Sequence, residues 1–138
     1  MSIKDEEIYF YGAFKMARKA LIVDDSASVR AAVKNILGEE FEAEEAENGL
    51  NAIFKLENTK DFDLLIIDYN MPGLSGEEVI EEISKKDHIK KLNTIMLTTE
   101  TDREKHERIK AFNFVQCWII KPITPKKLSA ALKKIFND

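Results

Sequence analysis

Acidic, hydroxyl and ammonium side chains stand directly after short apolar runs in this chain. Ala20-Leu21-Ile22-Val23 is followed by Asp24-Asp25, and Leu64-Leu65-Ile66-Ile67 by Asp68. Ile95-Met96-Leu97 is followed by Thr98-Thr99, and Trp118-Ile119-Ile120 by Lys121-Pro122. If the runs are strands of one parallel sheet, these positions share the edge at which open α/β folds place their ligands. Three carboxylates, a hydroxyl and an ammonium then converge. A single Asp after a strand could simply cap the next helix; three at one sheet edge with a lysine opposite ask for another reason. Gathered carboxylates repel one another and favour a cation. Hard oxygen donors with no His or Cys nearby select Mg²⁺ or a similar ion. One carboxylate can then attack a phosphoryl group and form an aspartyl phosphate. The metal, the lysine and the hydroxyl would neutralise the transferred oxygens.

The elements needed to hold these groups are present. None of the four runs alternates with polar residues, which suits strands buried on both faces. The segments between them are long enough for crossover helices. Val29, Val33, Ile36 and Leu37 have helical spacing, with Ser26 or Ser28 as cap and Gly38 as stop. Leu50, Ile53 and Phe54 follow Asn48-Gly49, and Val79, Ile80 and Ile83 follow Gly76. Leu128, Leu132, Ile135 and Phe136 follow Thr124-Pro125, a cap with proline at the first helical position. The charged stretch from Thr101 to Phe112 is read as a helix with a thin buried stripe. Phe41–Ala46 has helical propensity, but the alternation of strand and helix requires a strand there. The expected fold is (βα)5, a doubly wound α/β sandwich on a five-stranded parallel sheet.

The chain has 138 residues, of which 44% are hydrophobic and 33% charged. That length suits one domain. One cysteine, Cys117, excludes an internal disulfide and fits a reducing, cytoplasmic setting. No apolar run exceeds four residues, so no membrane span is expected. A net charge of −4 gives no reason to expect direct nucleic-acid binding. Residues 1–18 lie outside the repeating pattern, and residues 19–138 form the domain. The extension holds Ile8, Tyr9, Phe10, Tyr11 and Phe14, too aromatic for a typical disordered tail. It is read as a short added helix, packed on its own domain or on a neighbouring chain, the alternative being an upstream start with no function of its own.

From about residue 17 to 138 the sequence resembles the receiver domain of two-component response regulators. Four pieces carry the likeness: Leu21-Ile22-Val23-Asp24-Asp25-Ser26; Asp68-Tyr69-Asn70-Met71-Pro72-Gly73-Leu74-Ser75-Gly76; Thr98-Thr99; and Lys121-Pro122. The resemblance implies a flavodoxin-like fold and a phosphorylation-driven switch rather than an enzyme acting on a separate substrate. It implies Asp68 as phosphoacceptor, charged by a sensor histidine kinase or a phosphotransfer protein. It implies Mg²⁺ held by Asp24, Asp25, Asp68 and the backbone carbonyl of Asn70. Thr98 matches the hydroxyl that moves toward the phosphoryl group, and Lys121 the lysine that pairs with it. The Lys121–Pro122 bond matches the family's cis peptide. Trp118 stands where the family has a switching Tyr or Phe. Asn70 and Glu100 match positions that tune hydrolysis, and the pair is similar to that of the chemotaxis regulators of flagellar motors.

One segment departs from the pattern. Asn113-Phe114-Val115-Gln116-Cys117 replaces the small residues that usually precede the switch aromatic. That puts the partner and the usual homodimer mode in question. Ending at Phe136-Asn137-Asp138 without a linker favours a stand-alone receiver that docks on a protein partner, against a fragment of a multidomain transcriptional regulator. The rival from another class is a phosphatase of the haloacid dehalogenase type. It needs D-x-D after the first strand, where this chain has Asp24-Asp25-Ser26; Asp61-Phe62-Asp63 precedes its strand, at the wrong edge. A flavin-binding flavodoxin-like protein is a third reading. His88 and His106 stand isolated in charged stretches and are not read as metal ligands, Cys117 is read as buried rather than reactive, and the lysines at 126, 127, 133 and 134 as the solvated face of the last helix.

Overall fold

The computed structural model describes residues 4–5, 8–9, 17–59, 61–89, 91–99 and 101–136. Two short strands, β1 (Lys4–Asp5) and β2 (Ile8–Tyr9), pair antiparallel. Apart from Ala17 and Arg18, the rest of the N-terminal extension, and with it the added helix expected there, lies outside the described residues. After it the chain alternates strictly: β3 (Arg18–Val23), α1 (Ala27–Leu37), β4 (Phe41–Ala46), α2 (Gly49–Asn58), β5 (Phe62–Asp68), α3 (Gly76–Lys85), β6 (Asn93–Thr98), α4 (Arg103–Lys110), β7 (Val115–Ile120) and α5 (Pro125–Phe136). A single 3₁₀ turn, Gly38–Glu40, joins α1 to β4.

The main sheet runs in the order β4-β3-β5-β6-β7 with every pairing parallel. Two separate cores show that the sheet is covered on both faces. Val33 and Leu37 of α1 and Leu128 of α5 pack on Ala20, Ile22, Leu64, Ile66, Ile95 and Leu97. Residues of α2, α3 and α4 pack on Leu21, Val23, Leu65, Ile67 and Met96. Strand residues two apart therefore feed the same core. Each fully buried Leu, Ile or Val contributes roughly 1.5–3 kcal/mol. This is the (βα)5 doubly wound sandwich expected from the apolar runs.

The segment Phe41–Ala46 is a strand despite its helical propensity. Phe41 and Ala46 are buried, and the ladder with β3 runs its whole length. Its glutamates find cations on the flanking helices. Arg30 Nε donates to Glu45 Oε1 at 2.9 Å, and Lys55 Nζ to Glu44 Oε1 at 3.3 Å. Tertiary pairing thus overrides local preference.

The helix ends follow their chemistry. Ser26, rather than Ser28, caps α1 by accepting from Val29 N–H. Asn48 caps α2 and Asp102 caps α4. Ser75 and Glu78 form a reciprocal capping box on α3. Helix α4 is shorter than the stretch 101–112 suggested, and its buried residue is Ile109. Among the described residues, no helix is long and apolar enough to cross a membrane.

Candidate functional site

The parallel ladder sets the ends of β3, β5, β6 and β7 side by side. Val23 lies opposite Ile67, Asp68 opposite Leu97, and Thr98 opposite Ile120. Beyond these positions the strands release Asp24, Asp25, Asn70 and Lys121 to one edge. The Lys121 backbone N–H donates to the Thr98 carbonyl at 2.8 Å, which holds the last two strand ends together. The Lys121–Pro122 peptide is cis.

Asp24 is fully buried, Asp68 nearly so, and Asp25 is exposed. One oxygen from each of the three carboxylates lies within 4.8 Å of the others. Lys121 Nζ stands 3.0 Å from Asp24 Oδ2 and 3.4 Å from Asp68 Oδ2. The remaining oxygens are met by backbone. Ser26 N–H donates to Asp24 Oδ1 at 2.9 Å, and Asn70 N–H to Asp68 Oδ1 at 3.3 Å. Arg30 Nη1 donates to the Asp24 carbonyl at 2.6 Å, fixing the turn that carries the acidic pair.

The electrostatics follow from this crowding. Burial, and then the neighbouring Asp24 charge, push the Asp68 carboxyl above its ordinary value, against the pull of Lys121. Burial drags the Lys121 ammonium down, yet its hydrogen bond to Asp24 and the charges of Asp68 and Asp24 leave it raised overall. Two buried carboxylates thus share one ammonium in the metal-free protein, and a divalent cation would supply the charge they lack. The donor set is all oxygen, which fits Mg²⁺.

Gly76 shapes the loop after Asp68. A Cβ there would collide with the Asp68 carbonyl and sit 2.9 Å from Tyr69 Cα. Its N–H donates to the Tyr69 carbonyl at 2.8 Å. The start of α3 can approach the acidic edge this closely only without a side chain.

The sequence-predicted residues Asp24, Asp25 and Asp68 are gathered together, and Lys121 contacts Asp24 and Asp68. Thr98, fully buried, and Asn70, exposed, stand at the same edge. Glu100 lies outside the described residues. Trp118 is half-buried and faces the α4 side of the sheet, opposite Ile119, as strand alternation requires. Asp61-Phe62-Asp63 opens β5 at the opposite edge, where Asp63 Oδ2 accepts from Lys19 N–H at 2.9 Å. That arrangement does not supply the rival phosphatase motif. Cys117 is half-buried rather than buried, and burial pushes its thiol up, away from a reactive thiolate.

Sequence reasoning missed four residues. His106, isolated among charged residues in the sequence, packs on Trp118 with ring centroids 3.7 Å apart. Tyr69 packs on the same indole at 5.5 Å. The Tyr69 hydroxyl donates to Glu77 Oε1 at 2.6 Å, and Arg108 Nε donates to Glu77 Oε2 at 2.7 Å. The contact between Arg108 and Glu77 spans 31 residues of sequence, so no local pattern announces it.

Known proteins resemble this chain in sequence and fold. The response regulator receiver domain family matches residues 20–133. The chemotaxis protein CheY-3 of Vibrio cholerae is 38% identical over 122 residues, covering 86% of this chain and 92% of the relative. CheY1 of Helicobacter pylori is 37% identical over 123 residues, covering 86% of this chain and 97% of the relative. Among solved structures, CheY4 of V. cholerae superposes with a TM-score of 0.78 at 35% identity, covering 87% of this chain and 99% of that one. A CheY-like receiver domain protein from Methanospirillum hungatei gives a TM-score of 0.77 at 27% identity, covering 88% of this chain and 95% of that one.

Proposed function

We propose, from the premise that this chain belongs to the response regulator receiver domain family of two-component signalling, that it takes a phosphoryl group onto Asp68 and thereby changes a partner-binding surface. The donor is a phosphohistidine on a sensor kinase or phosphotransfer protein. An Asp68 oxygen forms a bond to phosphorus while the bond from phosphorus to the imidazole nitrogen breaks, and the imidazole leaves. Mg²⁺, held by Asp24, Asp25, Asp68 and the Asn70 carbonyl, would offset the negative charge of the acceptor and the phosphoryl oxygens. Lys121 is already placed against the acceptor and can pair with a phosphoryl oxygen. Thr98, at the end of the neighbouring strand, would donate its hydroxyl to another. Asn70 and Glu100 flank the position from which water would later attack.

Trp118 reads the outcome. A Thr98 drawn toward Asp68 would alter the space beside the indole and so the surface formed by α4, β7 and α5. Such a change is a population shift, driven by how much better the phosphoryl group fits one state. The protein is a signalling switch rather than an enzyme with a separate substrate.

The observation that carries this reading is the single ammonium of Lys121 shared by two buried carboxylates at the sheet edge. The test is labelling by acetyl phosphate in the presence of Mg²⁺. Wild type should acquire one base-labile phosphoryl group, and Asp68→Asn should acquire none, because an amide is not a competent nucleophile. Equal labelling of the variant would remove Asp68 from the role. Multiple turnovers of a general phosphatase substrate would favour the phosphatase reading instead.

A further inference from the structure

We propose that Arg108, Glu77 and Tyr69 form a brace that closes a slot around Trp118, so that cutting the brace frees the indole and makes the switch easier to drive. The inference rests on the reading above, in which Trp118 responds to a phosphoryl group at Asp68.

Rings from two different parts of the fold pack on Trp118 and serve as the walls of this slot. Tyr69 follows Asp68 at the end of β5, and its ring centroid lies 5.5 Å from that of Trp118. His106 belongs to α4, and its ring lies 3.7 Å from the indole. The Tyr69 wall is rigid. Its N–H donates to the Leu97 carbonyl at 2.9 Å, and its own carbonyl accepts from Gly76 N–H. The His106 wall is only as firm as α4. That helix spans eight residues, of which Ile109 is the buried one.

The brace connects the two walls through side chains. The Tyr69 hydroxyl donates to Glu77 Oε1 at 2.6 Å. Arg108 closes on the same carboxylate at two points, Nε to Oε2 at 2.7 Å and Nη2 to Oε1 at 3.1 Å. Arg108 and His106 lie on the same short helix. The chain of contacts therefore runs from Tyr69 through Glu77 and Arg108 to α4, and back to His106. A two-point guanidinium–carboxylate pair fixes orientation as well as distance, which an ammonium does not. Glu77 is itself mostly buried, with its side chain 14% exposed, so it forms a firm pivot. Lys105 adds a further α4 contact, its ammonium 5.7 Å from the Tyr69 ring centroid.

For Trp118 to leave the slot, the walls must separate or the indole must lose contact with both. A contact made in one state and lost in the other biases the population toward the first. The brace accordingly holds the resting arrangement, and a ligand that favours the other arrangement must work against it.

The experiment uses the full chain and its single tryptophan. Arg108→Ala, Arg108→Lys, Glu77→Gln and Tyr69→Phe are compared with wild type by two measurements. The first is acrylamide quenching of Trp118 without metal or phosphodonor. The second is the midpoint of a beryllofluoride titration with Mg²⁺, followed by the same emission. Arg108→Ala and Tyr69→Phe should raise quenching and lower the midpoint by about fivefold, a typical coupling. Arg108→Lys, which keeps the charge without the fork, should fall between Arg108→Ala and wild type; a general loss of packing would not follow that order. Unchanged quenching in both Arg108→Ala and Tyr69→Phe overturns the brace. Raised quenching with an unchanged or higher midpoint overturns its role in the switch. If wild type itself gives no response to beryllofluoride, or Asp68→Asn responds equally, the phosphoryl reading falls, while quenching still decides whether the brace holds the indole.

Discussion

Asp68 and Glu77 are both carboxylates with a cation in contact, yet the protein pushes them in opposite directions. Lys121 Nζ is 3.4 Å from Asp68, and Arg108 Nε is 2.7 Å from Glu77. Burial and the adjacent Asp24 raise Asp68 above its ordinary value. The two hydrogen bonds from Arg108 lower Glu77 below its own, in spite of its burial. At the acidic edge one ammonium serves two carboxylates, so the negative charge is under-compensated. At the brace one guanidinium and one hydroxyl serve a single carboxylate, so the charge is fully met. The first arrangement invites a cation; the second joins α3 to α4. The difference lies in the burial and the Asp24 charge at one site against the two-point guanidinium at the other.

The largest effect should come from removing the one cation at the acidic edge. Lys121→Met leaves Asp24 and Asp68 buried without their shared cation, and the metal-free protein should lose about 3 kcal/mol of stability. Urea unfolding measures this, and added Mg²⁺ should restore part of it. A loss indistinguishable from zero would mean that the edge is less desolvated than its burial indicates.

Gly76 lies between the two regions, against the Asp68 backbone and just before Glu77. Gly76→Ala forces the loop away from β5 and should cost about 2 kcal/mol by overpacking. It should also weaken Mg²⁺ binding, since the loop carries the Asn70 carbonyl proposed as a ligand. Isothermal titration with Mg²⁺ beside a thermal melt separates the two effects. Loss of stability with unchanged Mg²⁺ affinity would show that the loop moves as a unit apart from the site.

The opposite directions of the two carboxyls predict opposite pH dependences in the metal-free protein. A raised carboxyl binds its proton more tightly in the folded state, so its contribution to stability is full at low pH and declines as pH rises above 3.8. Asp68→Asn removes that decline and should grow progressively more stable than wild type over that rise. Mg²⁺ should reduce the gap, because it stabilises the ionised wild-type site. Parallel curves for the two proteins at all pH values would contradict the assigned direction.

For Glu77 the sign reverses. A lowered carboxyl contributes stability that is full above 4.5 and is lost as pH falls through its lower folded value. Glu77→Gln should therefore be less stable than wild type near neutrality and converge with it in acid. This is the smallest of the four effects, since Arg108 is half exposed and solvent screens the pair. Convergence at high pH instead of low would reverse the assignment.

Much of the acidic edge could be read from the chain. The strands announce themselves as β-branched runs, and parallel order places everything after each run at one edge. Asp24, Asp25, Asp68, Thr98 and Lys121 were therefore assignable by position, and the resemblance added their roles. The strand Phe41–Ala46 needed more than propensity. The regular alternation around it required a strand, and β3 together with the cations of Arg30 and Lys55 explains how a glutamate-rich one is tolerated.

The brace was not readable, and neither was the place of His106. Charged residues on short helices look alike whether they face water or a partner, because their own helix leaves both options open. Glu77 satisfies the rule for an acidic first turn, and Arg108 the rule for a basic last turn, with or without each other. Sequence by itself determined the layered fold and the chemistry gathered at its edge, since both follow from hydrophobic periodicity and strand direction. Only the tertiary structure decided which helix faces meet. That choice depends on how α3 and α4 settle on the sheet, and it alone brings Arg108 to Glu77 and His106 to Trp118.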